Sequence, residues 1–312
     1  MRYSNIIKCI LVFIALTGCT QKPQPPLIVA SSGWMGYQPL FLAEELHYVD
    51  KHNISLKKLG SASEIIRGFR NNIVDVATLT LDEAITLSRT VNDFEIILIM
   101  DFSHGADAIV ARPETKTLSD LNSKIVGVEK TALGAYMLTR ALEIAKLDES
   151  KIQTRSIEFS RHKEAFLNKD VDAIVTFDPV KTLLQENGGH IIFDSSDIPG
   201  EIIDVLITRR SLSTHKQKQL QNLINGWFKS LEYIKNNQLK ADNSLARLNL
   251  LTLEQYLKAK VQIRLPDKEK NLQMLNDTNT GLEHRISKIK NVLNIPDNGQ
   301  PLSNNQYLLN TK

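Results

Sequence analysis

From Leu27 onward, short apolar runs alternate with stretches whose apolar positions recur every three or four residues. Leu27–Ala30, Ile54–Leu59, Val74–Leu79 and Ile96–Met100 have the length and β-branched content of strands, while Leu40–Tyr48, Ala62–Phe69 and Glu83–Arg89 carry helical periodicity. The rhythm resumes further on. Ile125–Val128, Gln153–Phe159, Ala173–Phe177 and Ile191–Phe193 predict strands, and Leu133–Ala145, Lys163–Asn168 and Val180–Glu186 predict helices. After the strand Ile202–Thr208 the strand signals stop, and Ser213–Asn236, Thr252–Lys260 and Lys268–Val292 predict helices alone.

Strands separated by helical stretches of about ten residues require crossovers onto a largely parallel sheet covered by helices on both faces. The fold class expected is α/β, with two doubly wound lobes: residues 27–106 begin the first, 107–204 form the second, and 205–312 return to the first and add a C-terminal helical extension. The chain would then cross between lobes twice, and a cleft at such a junction is where small ligands bind. No internal repeat or low-complexity block argues otherwise.

The first residues differ in kind. Arg2 and Lys8 precede the apolar run Cys9–Leu16, which is shorter than the roughly 20 residues a membrane-spanning helix needs. Residues 1–18 read as a secretory signal peptide. Leu16-Thr17-Gly18-Cys19 resembles the bacterial lipobox, so Cys19 is the expected lipidation site; an ordinary signal or an N-terminal anchor helix is the alternative. Residues 19–26, rich in proline and polar residues, read as a tether. Cys9 and Cys19 are the only cysteines, so the body would rely on its core and not on disulfides. Removing residues 1–18 takes the formal charge from +3 to +1, which excludes a polybasic nucleic-acid binder.

Ligands of open α/β sheets bind beyond the carboxyl ends of the strands. Trp34 and Tyr37 follow the first strand and suit stacking on a ring or cation, or else belong to the core. Thr80 and Asp82 follow the third strand; Asp82 serves equally as a helix cap, and Glu83 reads as capping. Ser103, Gly105 and Asp107 fall at the first crossing and Asp204 near the second, with Asp101 and Asp107 also suited to bonding hinge amides. Thr131 and Gly134 open a helix whose amides could receive a ligand, although a plain cap explains Thr131 too. Thr176 and Asp178 close a strand, and Asp178 before Pro179 is also an N-cap candidate.

The segment Ser32–Ala43, then Ile66-Arg67-Gly68-Phe69, Val74–Thr78, Asp101–Val110, Leu118–Leu121, Lys124–Val128 and Val171-Asp172-Ala173, resembles the nitrate, sulfonate, taurine and thiamine-precursor group of solute-binding proteins. These are type II periplasmic binding proteins. The resemblance implies two lobes on a two-crossing hinge that close on a small solute, delivered to an ABC permease in the membrane. It implies a lipoprotein held outside the cytoplasm through Cys19, acting as a monomer with no cofactor, no metal and no nucleic acid. Relatives of this group take nitrogen- or sulfur-containing solutes, and some bind pyrimidines or flavins.

Charge narrows the solute. Asp82, Asp101, Asp107, Glu129, Asp178 and Asp204 stand at candidate positions against Lys130 as the obvious base, so a cationic or neutral nitrogen compound is expected over a sulfonate or nitrate. An enzyme is not expected: no Gly-x-Ser-x-Gly, His-Glu-x-x-His, phosphate-loop or dinucleotide fingerprint occurs, and the seven histidines are scattered. His104 with Asp101 and Asp107 is the one local cluster resembling a metal site, but the tight loop is expected to turn these side chains apart. A lipoprotein reporting to a membrane receptor is the alternative function.

Overall fold

The computed structural model of the protein describes residues 24–130, 133–277, 279–297, 299 and 301–311. The signal peptide, Cys19 and most of the tether therefore lie outside the described residues. Strands β1 (Leu27–Ser31), β2 (Ile54–Lys58), β3 (Val76–Thr80) and β4 (Glu95–Ser103) alternate with α1 (Gln38–Glu45), α2 (Ala62–Arg70) and α3 (Leu81–Leu87). A second unit holds β5 (Asp107–Ala111), β6 (Ile125–Val128), β7 (Gln153–Ser156), β8 (Ala173–Phe177) and β9 (His190–Asp194), with α4 (Leu133–Ala145), α5 (His162–Leu167) and α6 (Val180–Glu186). β10 (Ile203–Thr208) then leads into α7 (Thr214–Asn236), α8 (Gln238–Leu248), α9 (Leu253–Lys260), β11 (Ile263–Arg264), α10 (Lys268–Asn276), α11 (Leu282–Val292) and α12 (Gln306–Leu309). Among the described residues no helix is long and apolar enough to cross a membrane.

The first sheet runs β11-β4-β10-β3-β1-β2 and the second β7-β6-β8-β5-β9. β3 and β5 are buried along their whole length, as strands covered on both faces must be. Each sheet is largely parallel in direction, β1–β4 in the first and β6–β9 in the second, but each carries antiparallel strands that the sequence did not indicate. β1 runs parallel to β2 and β3, but β10 is antiparallel to β3 and β4; β6 runs parallel to β7 and β8, but β5 is antiparallel to β8 and β9. β5 and β10 arrive directly from the other sheet, with no helical crossover to reverse their direction, and the short β11 is antiparallel to β4.

Three further differences lie in the second half. The expected division after Asp204 falls inside β10, which places Asp204 in the first sheet. Strand pairing does not end at Thr208, because β11 pairs with β4 and Ser303 bridges Ile96. The helix expected over Lys268–Val292 is two, separated where the Asp277 carboxylate accepts from the amides of Asn279 (2.8 Å) and Thr280 (3.1 Å), a local turn that competes with helix. The helical return covers the first sheet: Leu220, Leu223, Ile224 and Trp227 of α7 share a core with Leu27, Val29 and Leu40.

The chain passes from sheet to sheet between Ser103 and Asp107, and back between Asp194 and Ile203. At the first crossing Gly105 has φ +103°, a left-handed conformation that favours glycine. Ser195, on the second crossing, binds the first: its Oγ lies 2.8 Å from Ser103 Oγ and accepts from Gly105 N at 2.7 Å. Lys181 of α6 reaches into the same junction, donating to the Gly105 carbonyl (2.6 Å) and to Gln262, and pairing with Asp178 at 3.0 Å. Both members of that ion pair are buried. Removing one member of such a pair strands the other, so Lys181→Met is expected to cost about 3–5 kcal/mol in urea unfolding; a loss below about 1 kcal/mol would show that the pair does not hold the junction.

Candidate functional site

Between the sheets lies a cleft of about 620 Å³, its open mouth included. Its walls are built from loops and helix starts at the carboxyl ends of the strands. After β1, the Trp34 amide donates to Ser32 Oγ at 3.3 Å and a single 3-10 turn, Met35–Tyr37, swings Trp34 and Tyr37 inward before α1 begins. The Trp34 indole donates to Asp101 Oδ2 at 2.9 Å, and Tyr37 donates its hydroxyl to Asp204. Gly36 permits this, since a side chain there would collide with the Asp101 carboxylate and the indole nitrogen.

Asp204 stands in register with Thr80 on one neighbouring strand and with Asp101 on the other. Burial holds the Asp101 carboxyl up at about 7 and the Asp204 carboxyl well above the usual range, where the nearby Asp101 and Asp107 charges push it further. Asp107, at the start of β5, is likewise raised to about 7 by burial. Its Oδ2 is buried without a hydrogen-bond partner. Glu83 accepts from the Thr80 amide at 3.0 Å and also faces the cleft, its carboxyl raised by burial and by Asp82. The capping role expected of it is therefore combined with a wall position.

The second lobe contributes Glu129, Leu133, Gly134, Val175, Thr176 and Phe177, together with His162. The His162 ring nitrogens lie 3.1 Å from Thr176 Oγ1 and 3.1 Å from the Ile157 carbonyl, and burial lowers its pKa to about 4, so it is neutral. Phe177 meets the edge of Trp34 at 5.4 Å and stacks on Phe159 at 3.9 Å. Among the described residues no lysine or arginine lines the cleft.

Of the residues proposed from sequence, Trp34, Tyr37, Thr80, Asp107, Gly134, Thr176 and Asp204 are brought together. Asp82, Ser103 and Asp178 are not. One helical step of roughly 100° separates Asp82 from Glu83, and it carries Asp82 behind the wall, where burial raises its carboxyl to about 6. Ser103 spends its hydroxyl on Ser195 and on the Asp107 amide (3.2 Å). Asp178 accepts from Thr182 N (3.0 Å) and Thr182 Oγ1 (2.7 Å) and pairs with Lys181, so it braces α6. Thr131 lies outside the described residues. Asp101 bonds the indole behind the wall, and Lys130 and His104 are exposed and do not line the cleft. Among the described residues no group of three or more His, Cys, Asp or Glu is placed to hold a metal.

His162 and Phe177 were missed. His162 sits in a polar stretch with no motif, and Phe177 reads as an ordinary strand residue; only the antiparallel pairing of β8 with β5, which sets Phe177 opposite Asp107, turns it toward the cleft.

Two mixed α/β units joined by paired crossings around a cleft are the architecture of the periplasmic binding proteins. A model of the NMT1-like family matches residues 20–248, and the chain belongs to that family. Among solved structures, the alkanesulfonate-binding protein SsuA from Xanthomonas axonopodis pv. citri, bound to MOPS, is 12% identical with a TM-score of 0.70, over 88% of this chain and 96% of its own. The zinc-bound ligand-binding component of an ABC-type import system from Staphylococcus aureus is 11% identical with a TM-score of 0.75, over 93% and 99%. The desulfurization enzyme DSZB shares the fold at 16% identity and a TM-score of 0.63, over 92% and 98%. No curated protein sequence matches the chain.

The raised Asp107 carboxyl makes stability depend on pH. Folded Asp107 keeps its proton until about pH 7, while the unfolded chain releases it near pH 4; the favourable contribution is complete below the lower value and lost as pH rises through the upper. Asp107→Asn removes that titration. Its stability relative to the unaltered protein is therefore expected to rise between about pH 4 and 7, by an amount on the order of 4 kcal/mol at most, measured by urea unfolding at each pH. A difference that stays flat over this range would show that Asp107 is not held neutral.

Proposed function

We propose that the protein is a lipid-anchored solute-binding component of an ABC importer, held outside the cytoplasm, that takes a cationic or neutral nitrogen-containing solute by closure of its two lobes. The observation that carries the solute class is the polar lining of the cleft: Glu83, Asp107, Glu129 and Asp204 with Thr80, Thr176 and neutral His162, and no lysine or arginine among the described residues. An anion would find no cationic partner among the described residues of the cleft and would oppose ionisation of its carboxyls, whereas an amine or amino-heterocycle could donate to the unpartnered Asp107 oxygen while its flat face meets Trp34 or Phe177. The transport role is supported by family membership and by the fold shared with the sulfonate-binding protein and the import-system component. The lipid anchor is supported by Leu16-Thr17-Gly18-Cys19. The fold is also that of a desulfurization enzyme, but both cysteines of this chain precede the described residues, and His162 has one ring nitrogen against a carbonyl and the other against Thr176. Binding is the better reading of the site.

A thermal-shift screen against amines, amino-pyrimidines, flavins, amino acids, sulfonates and nitrate tests this. A solute at about 100 times its Kd adds about 2.7 kcal/mol of stability. The expected hit is a cationic or neutral nitrogen compound, with Asp107→Asn weakening a cation about tenfold or more. Cation affinity is expected to rise from pH 6 to 8, because a bound cation favours the ionised form of a carboxyl whose pKa is about 7. Hits confined to sulfonates or nitrate would sink the solute class.

A further inference from the structure

Glu129 follows β6 in the second lobe, yet its carboxylate reaches the first. Oε1 accepts from Ser63 N at 3.0 Å and from Ser63 Oγ at 2.7 Å, while Oε2 accepts from Phe159 N at 3.2 Å in its own lobe. Ser63 lies in the first turn of α2, where backbone amides have no helical acceptor. The neighbouring amides are satisfied locally: Glu64 N by Ser61 Oγ at 3.2 Å and Gly60 N by Glu64 Oε2 at 2.8 Å. The Glu129 carboxylate thus takes a cross-lobe position at a helix N-terminus, where negative charge is favoured and the bond is charge-assisted. Gly134 lies close against its backbone, where a Cβ would stand 2.6 Å from the Glu129 carbonyl oxygen. An ion pair between the same two lobes, Arg67 with Glu158, is 4.0 Å long with side chains 59% and 46% exposed, too loose and wet to compete.

We infer that Glu129 is a cross-cleft latch: its carboxylate holds the lobes together without solute, and by occupying the N-terminus of α2 it keeps anionic solutes out. The inference rests on reading the cleft as the solute site. A solute must therefore replace or tolerate the Glu129–Ser63 contact, and one that donates hydrogen bonds to the carboxylate is suited to do so.

Small-angle X-ray scattering of the ligand-free protein tests the latch with no solute identified. The unaltered protein is expected to be compact and Glu129→Ala expanded, the open-to-closed ratio rising about tenfold or more. Glu129→Gln, whose amide oxygen still accepts from Ser63, should stay compact. Ser63→Pro removes both donors at a first-turn position that tolerates proline, and should expand the protein as Glu129→Ala does. Methanesulfonate, followed by calorimetry, should bind Glu129→Ala and not the unaltered protein. Identical scattering from the unaltered protein, Glu129→Ala and Ser63→Pro would overturn the latch, and so would equal methanesulfonate binding before and after substitution overturn the exclusion. Neither result touches the solute screen, so failure of the latch and failure of the transport reading are told apart.

Discussion

The rest of the structure depends on where β10 lies. A strand returning from the second lobe inserts antiparallel between β3 and β4, and its register sets Asp204 opposite Thr80 on one side and Asp101 on the other. Two carboxyls on adjacent buried strands cannot both keep a charge cheaply, and burial raises both. The polymer's answer is local: the loop after β1 supplies two aromatic donors, Trp34 to Asp101 and Tyr37 to Asp204. The carboxyl pair thereby fixes the loop that forms the first wall of the cleft. Gly36 follows from the same geometry, since only a residue without a side chain fits between indole and carboxylate.

The second lobe is joined to this frame through a junction that is polar and buried. Ser195 ties the two crossings to each other, and Lys181 ties α6 to the first crossing and to Gln262 of the helical return. Buried hydroxyl and ion-pair contacts are directional, so they define an axis more sharply than an apolar patch of the same size would. The Lys181 charge also reaches Asp107, where it lowers the carboxyl pKa against the larger upward effect of burial. Hinge and cleft are therefore electrostatically continuous: the cation that steadies one sits behind the wall of the other.

Much of this was legible in the chain. Strand runs such as Leu27–Ala30 and Ala173–Phe177, and the helix Leu133–Ala145, follow from local periodicity, and the structure reproduces them to within a residue. Trp34, Tyr37 and Thr80 were legible because residues just past a strand end share one side of an α/β sheet. What was not legible depends on contacts between distant segments. Antiparallel β5 and β10 have the same apolar runs that parallel strands would have, so direction was invisible. The split between α10 and α11 turns on the Asp277 side chain competing for backbone amides, a choice that periodic Leu and Ile positions cannot register. Asp82 and Glu83 are neighbours in sequence with one facing the cleft and the other behind it, and only the phase of α3 separates them.

The carboxylates in the cleft explain why closure and solute charge belong to one problem. Asp107 and Asp204 are held toward their protonated forms by burial, which means that the cleft stores protons where it would otherwise store repulsion. A positive solute offers the same compensation as a proton but can touch both lobes at once, because Asp204 and Glu83 belong to the first and Asp107 and Glu129 to the second. Exchanging bound protons for one bridging cation converts charge that each lobe neutralises alone into charge that the lobes neutralise together. An anion can make no such exchange. On the proposed reading, the acidity that makes the site costly to bury is what lets the right solute hold it shut.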